Sequence, residues 1–298
     1  MTSLKTKNIC FLAAFLFLAI VPTLAEVVDT VQKCNQFFRQ QTPPNIPGIL
    51  EDGKILDQNR YKVLCQTYEN SRWYVTVYDT RNKIPVFSAY KYQGPGQGQA
   101  EEYWKIEPQL ENEADPNKNM MEEEKGKTYT HQAMVADYVN SRGLDKGHCF
   151  PALHGFTNTE KTSTYTLTNI VPQAGKFNQG RWNTMEKCIG HVMDDYISKN
   201  GMECFVVVGA EPSANDKLNN KINVPSVMWS AFYCNNQKWS IAGAHWDNNV
   251  PGSLKDRMIM KPVKDLEDKL MVDAFPKTNP EFVDKKVIKR WRSLCKAQ

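Results

Sequence analysis

The chain has 298 residues and a formal net charge of +4, from 37 Lys and Arg against 33 Asp and Glu, and 41% of it is hydrophobic. This balance suits a globular protein with a sizeable core. It excludes a protein that coats nucleic acid through a uniformly basic surface, because any phosphate-binding groove has to be local.

The first 25 residues form a leader. Lys5 and Lys7 open it, an apolar run over residues 9–20 follows, and Thr23, Leu24 and Ala25 end it. That order predicts a secretory signal peptide cleaved after Ala25. A membrane anchor is the competing reading, but the run is shorter than the roughly 20 residues a spanning helix needs. Cleavage removes Lys5 and Lys7, lowers the charge to +2 and leaves 273 residues. One domain over 26–298 is expected, with a core at about 60–265 and an extension at each end.

Cysteine usage points to the same compartment. Cys10 leaves with the leader, and Cys34, Cys65, Cys149, Cys188, Cys204, Cys234 and Cys295 remain, none in a Cys-x-x-Cys pair. Disulfides in an oxidising lumen are therefore expected rather than a zinc or thioredoxin-type centre. An odd number leaves one thiol over. Cys149 is the candidate, since a bridge beside His148 would constrain the site. Spacing does not give the pairing. No Asn-x-Ser/Thr sequon is present.

In chain order, residues 27–38 have helical spacing and residues 41–53, with three prolines, read as a loop. Residues 61–68, 73–78 and 84–92 are rich in β-branched and aromatic side chains and predict strands, the last two joined as a hairpin. The glycines of 94–98 lack the spacing of a phosphate loop, and residues 115–126 lack the glycine and glutamate of a calcium loop. Residues 97–127 read as a solvated acidic insertion. A short helix is expected over 130–138 and a strand over 163–170, ended by Pro172. A helix follows over about 179–198, with Trp182, Met185, Ile189, Met193, Tyr196 and Ile197 forming one stripe. Strands return at 204–208, 227–233 and 239–244. A basic amphipathic segment over 283–294 closes the chain.

The chemistry is concentrated between residues 145 and 186. Asp145, Lys146, Gly147 and His148 come first, then Thr168, Asn169, Ile170, Val171, Pro172 and Gln173. Phe177, Asn178, Gln179, Gly180, Arg181, Trp182, Asn183, Thr184, Met185 and Glu186 complete the stretch. A histidine, several amides and a carboxylate this close together suit one hard cation that keeps most of its waters. A neutral histidine beside such an ion can take a proton from an attacking water.

These three pieces resemble the DNA/RNA non-specific endonucleases, the ββα-metal nucleases, and are similar to the endonuclease domain-containing 1 branch of that family. The resemblance extends over about residues 34–265 and is concentrated in the central forty. It implies an α+β fold, an antiparallel sheet core with a ββα-metal finger carrying the active site. It also implies a magnesium-dependent hydrolase, with manganese as a substitute, that cuts DNA and RNA without strong sequence preference. His148 is then the general base and Asn178 the protein ligand of the metal, while Lys146, Asn169 and Glu186 complete the catalytic set. Asp145 fixes the loop and Asn169 supports the site by hydrogen bonding.

If Asn178 and Glu186 both lie on a regular helix, their Cα atoms are roughly 12 Å apart along the axis and about 80° apart around it. Asn178 is therefore expected to touch the ion and Glu186 to act through water. The family has arginine where this chain has Lys146, which keeps a charge and loses a two-pronged phosphate contact. Arg181 either supplies that fork or is a surface residue. Two functions remain. One is a secreted nuclease without a membrane anchor. The alternative is a catalytically weakened member that binds nucleic acid or a protein. A binder of anionic polymers through residues 285–296 is a remote third.

Overall fold

The computed structural model describes residues 26–253, 257–278 and Trp291. The leader expected over residues 1–25 and most of the basic 283–294 segment lie outside the described residues. Seven antiparallel strands form the central sheet, in the order Val27–Val28, Tyr61–Tyr68, Ser71–Asp79, Ile84–Tyr92, Glu203–Glu211, Val227–Asn235 and Ser240–Asn248. The fold is the expected α+β class with an antiparallel core.

Both faces of this sheet are covered, and strand alternation assigns each residue to a side. Val206 and Val208 join Tyr74, Tyr90 and Phe232 against Phe150, Leu167, Trp182, Met185, Ile189 and Met193. Phe205 and Val207 join Val75, Val77, Phe87 and Trp229 on the other side, against Val31, Phe37, Phe38, Leu266 and Phe275. Burial on both faces explains why these strands read as continuous apolar runs.

The site lies on the first side, in the crossover between Ile84–Tyr92 and Glu203–Glu211. A separate two-stranded ribbon pairs Leu144–His148 with Ile170–Ala174, His148 opposite Ile170 and Lys146 opposite Pro172. The long helix Asn183–Asn200 follows and ends at Gly201, whose φ of +58° stops it in the left-handed region. Its stripe is buried as expected: Met185, Ile189 and Met193 in the core, Tyr196 and Ile197 packed at its edge.

Four expectations need correction. Residues 27–38 are a short strand and then a 3-10 helix, Val31–Phe37. Cys34 within it is bridged to Cys65 in the second sheet strand. Residues 163–170 do not form a strand: a short helix, Asn158–Ser163, leads through a turn to the 3-10 helix Leu167–Asn169. The threonines that suggested alternation are used locally, since Thr166 and Thr168 both donate to Oε1 of Glu107. Pro172 sits within the strand rather than ending it, because a two-stranded ribbon has only edges, where proline is tolerated. The 97–127 region is packed through residues 105–110 and Met120, while many of its other residues are exposed. Lys105–Ile106 pairs with Met121–Glu122, and Lys105, Glu107 and Met120 are buried.

Cys204 and Cys234 are bridged and face each other across neighbouring strands. Cys188 is also in a disulfide. Cys149 is a buried free thiol, as expected.

Candidate active site

The strand Leu144–His148 divides the site into two faces. Asp145 and Gly147 point one way, Lys146 and His148 the other. A Cβ on Gly147 would collide with the side chain of Gln173, so glycine is required there by space.

On the first face, Oδ2 of Asp145 accepts hydrogen bonds from Nδ2 of Asn178 at 3.0 Å and Nε2 of Gln179 at 2.9 Å. This clamp joins the strand to the turn that begins the helical segment. It also fixes the amide of Asn178, leaving Oδ1 without a protein partner among the described residues. Gly175 N donates to Gly143 O at 3.0 Å beside the clamp.

On the second face, the imidazole of His148 lies 5.5 Å from the Trp104 ring and 4.9 Å from Tyr165, the latter edge-on at 77°. Its Nε2 is sealed from solvent with no hydrogen-bond partner, so Nδ1 is the nitrogen that can meet an incoming water. Burial lowers His148 to about 4, and the ring is neutral at neutral pH. The Lys146 ammonium lies 5.4 Å from both the Trp104 and Tyr138 rings. Partial burial lowers its pKa as well.

Asn169 is fully buried with its amide saturated. Oδ1 accepts from Phe150 N and Ser88 Oγ, both at 3.0 Å, and Nδ2 donates to the Phe150 and Thr164 carbonyls, again at 3.0 Å. It braces the chain after His148 and has no capacity left for substrate, so its place is supporting rather than catalytic.

Glu186 sits in the first turn of the long helix, and burial raises its carboxyl to about 8. Its backbone oxygen lies 2.9 Å from Nε2 of His154, whose Nδ1 is 2.7 Å from the Tyr90 hydroxyl. The carboxyl bonds to neither Asn178 nor His148. The premise of a regular helix between Asn178 and Glu186 also fails. Asn178–Trp182 is a π turn, with Gly180 at φ −98° and ψ −111°, so the spacing computed for an α-helix does not apply. Such turns recur at functional sites.

Arg181 is neither a phosphate fork nor a surface residue. It is buried, pairs through Nε with Asp247 at 2.6 Å, and donates through NH2 to the carbonyls of Asn248 and Val250. His154 and His245 are buried structural residues, and His131 and His191 are exposed. Trp104, Tyr138 and Tyr165 were not legible as site residues. Trp104 lies in an acidic stretch 44 positions before His148, and no spacing rule connects them.

Among the described residues no group of three or more His, Cys, Asp or Glu side chains is placed to hold a metal. What exists is a fixed amide oxygen and, separately, a carboxyl that burial holds largely as the neutral acid, both oxygen donors. They fit a cation that keeps most of its water and takes one or two protein groups.

A two-stranded ribbon and a helix presenting a histidine and an asparagine, beside an antiparallel sheet, define a nuclease-like metal finger. Residues 55–270 match the model of the DNA/RNA non-specific endonuclease family, and the chain belongs to it. It is 29% identical to the human endonuclease domain-containing 1 protein over 248 residues, covering 79% of this chain and 45% of that protein. The mouse counterpart is 26% identical, with 79% and 44% covered. The matched chain thus spans less than half the length of these relatives. Human mitochondrial endonuclease G is 40% identical over 58 residues, 19% of each chain. A solved structure of the EndoG/EndoGI complex shares the fold, with a TM-score of 0.51, 19% identity, and 70% of this chain and 85% of that chain covered.

Proposed function

We propose that this chain is a metal-dependent endonuclease of an oxidising, secretory compartment that hydrolyses phosphodiester bonds in DNA and RNA. The observation that carries the reading is the Asp145 clamp. It locks the amide of Asn178 to the strand whose other face bears the neutral His148, and leaves Oδ1 of Asn178 as a hard oxygen donor.

His148 takes a proton from water at Nδ1 as the water oxygen bonds to phosphorus and the bond to the 3′ oxygen breaks. Lys146, held between two rings rather than against a carboxylate, meets the phosphate as a point charge. Asn178 through Oδ1, and Glu186 through water, would hold magnesium, or manganese in its place. When bound, the cation offsets the charge that develops on the phosphate and on the departing oxygen. The disulfides support the compartment, as they persist where thiols are oxidised.

Lys146 keeps a second reading open, that of a weakened member acting as a binding module, because lysine gives up the two-pronged contact of the family's arginine. Digestion of plasmid and RNA by the mature chain, with magnesium and with chelator, separates the two. Cleavage that stops with chelator supports the nuclease. Tight oligonucleotide binding without cleavage would favour the binding module.

A further inference from the structure

Lys146 and His148 are two residues apart on one face of the site strand, a span of about 6.6 Å. Both are packed against the same indole. The Lys146 ammonium is 5.4 Å from the Trp104 ring, and the His148 ring is 5.5 Å from it at an angle of 40°. We propose that Trp104 is a positioning residue for hydrolysis, holding the proton acceptor and the phosphate-binding cation in fixed relation. The proposal rests on the nuclease reading and adds a residue from outside the family motif.

Trp104 is itself well held. The next residue, Lys105, donates its backbone N–H to Tyr165 O at 3.0 Å and bridges to Thr166. The buried Lys105 ammonium donates to the carbonyls of Tyr103 at 3.2 Å and Thr162 at 2.8 Å. These bonds bring Trp104 within 5.2 Å of Tyr165, and the two rings enclose the imidazole. The segment is part of the wall of the site.

The enclosure is one-sided: Nε2 of His148 is sealed, while His148, Trp104 and Tyr165 are each half-buried. The titratable and charged groups around the imidazole are few: Lys146 on its own strand, Tyr165 with Glu102 bonded to its hydroxyl, and the buried thiol of Cys149. None is a carboxylate in contact with the ring, so its surroundings hold it neutral. Lysine is flexible, and among the described residues Lys146 has no acidic partner. The Trp104 and Tyr138 rings are what limit its range.

The test uses the mature chain with Trp104→Leu, which removes the ring but keeps apolar bulk, and Trp104→Phe, which keeps a ring. The His148 imidazole is followed by NMR titration, its signal assigned with His148→Ala, and plasmid cleavage is followed as kcat and KM. In Trp104→Leu the His148 titration should rise by about one unit or more. Its kcat should fall roughly tenfold or more, with KM changed less. Trp104→Phe should stay within about threefold of the wild-type kcat. A folded leucine variant whose His148 titrates as in the wild type overturns the proposal. If that variant does not fold, a folded phenylalanine variant as inactive as His148→Ala overturns it. A wild-type chain that does not cut would instead defeat the nuclease reading, while the titration still decides what Trp104 does to His148.

Discussion

At the scale of single residues, His148 and Asn178 carry the most specific expectations. His148 is held near 4 by burial, so it is a competent base throughout the neutral range and loses function only by protonation in acid. Cleavage should therefore fall as pH drops toward about 4, without a decline between about 8 and 6 from this group, as a pH–rate profile would show. An acid limb centred near the ordinary histidine value of about 6.5 would contradict the desolvated environment.

Asn178→Ala removes the oxygen that Asp145 orients. Activity should be lost through metal affinity and partly restored by extra magnesium, with the melting temperature little changed. Calorimetry showing magnesium bound as tightly as by the wild type would exclude the contact. Lys146→Arg restores the family's fork. A charged hydrogen bond is worth about 1.5–3 kcal/mol, and allowing for imperfect placement the rate should rise on the order of tenfold. The pH optimum should stay where His148 sets it. An unchanged or lower rate would mean that the space between Trp104 and Tyr138 already suits lysine.

At the scale of elements, the site helix was legible because its residues do what local rules require, whereas the second strand of the site hairpin was expected over 163–170 and lies at Ile170–Ala174. Gly147 leaves room for Gln173, and the 182–197 stripe has helical period. The π turn at Asn178–Trp182 was not legible. Nothing in its sequence except Gly180 departs from a helix-forming pattern, and the turn also has to satisfy the buried pairing of Arg181 with Asp247, 66 positions away. The threonines of 163–170 misled for a similar reason. Alternation of hydroxyls suits a strand, but here they bond to Glu107, which only the tertiary fold brings close.

Asn169 connects this level to the site. Replacing it with alanine leaves the backbone groups of Phe150 and the Thr164 carbonyl unpaired in the core. Asn169→Ala should cost about 3 kcal/mol in urea unfolding and lower activity in proportion to unfolding. A stable but inactive Asn169→Ala protein would instead give the residue a direct chemical role.

At the scale of the whole molecule, the strands were legible in their β-branched and aromatic runs and the disulfide habit in the cysteine count, while the α+β class with its antiparallel core was what the family resemblance implied. The packed part of the 97–127 segment was not legible. Its acidic surface residues conceal Trp104, Lys105 and Glu107, which are oriented by partners far along the chain. Glu107 makes that segment sensitive to pH. Burial raises its carboxyl to about 7, above the ordinary 4.5, so the fold favours the protonated form. This contribution is complete below the ordinary value and is lost as pH rises through about 7. Relative to Glu107→Gln, the wild type should lose up to ~3 kcal/mol of stability between pH 5 and pH 8. Parallel stability curves for the two proteins would show that the carboxyl is solvated.

The central claim is that one neutral, enclosed histidine activates water beside a cation held by Asn178. The most direct measurement is single-turnover plasmid cleavage by the mature wild-type and His148→Ala chains at saturating magnesium, with folding of both verified by circular dichroism. The account predicts that the alanine protein binds plasmid as the wild type does and cuts it at least about a hundredfold more slowly. A folded His148→Ala chain cutting at the wild-type rate would contradict it.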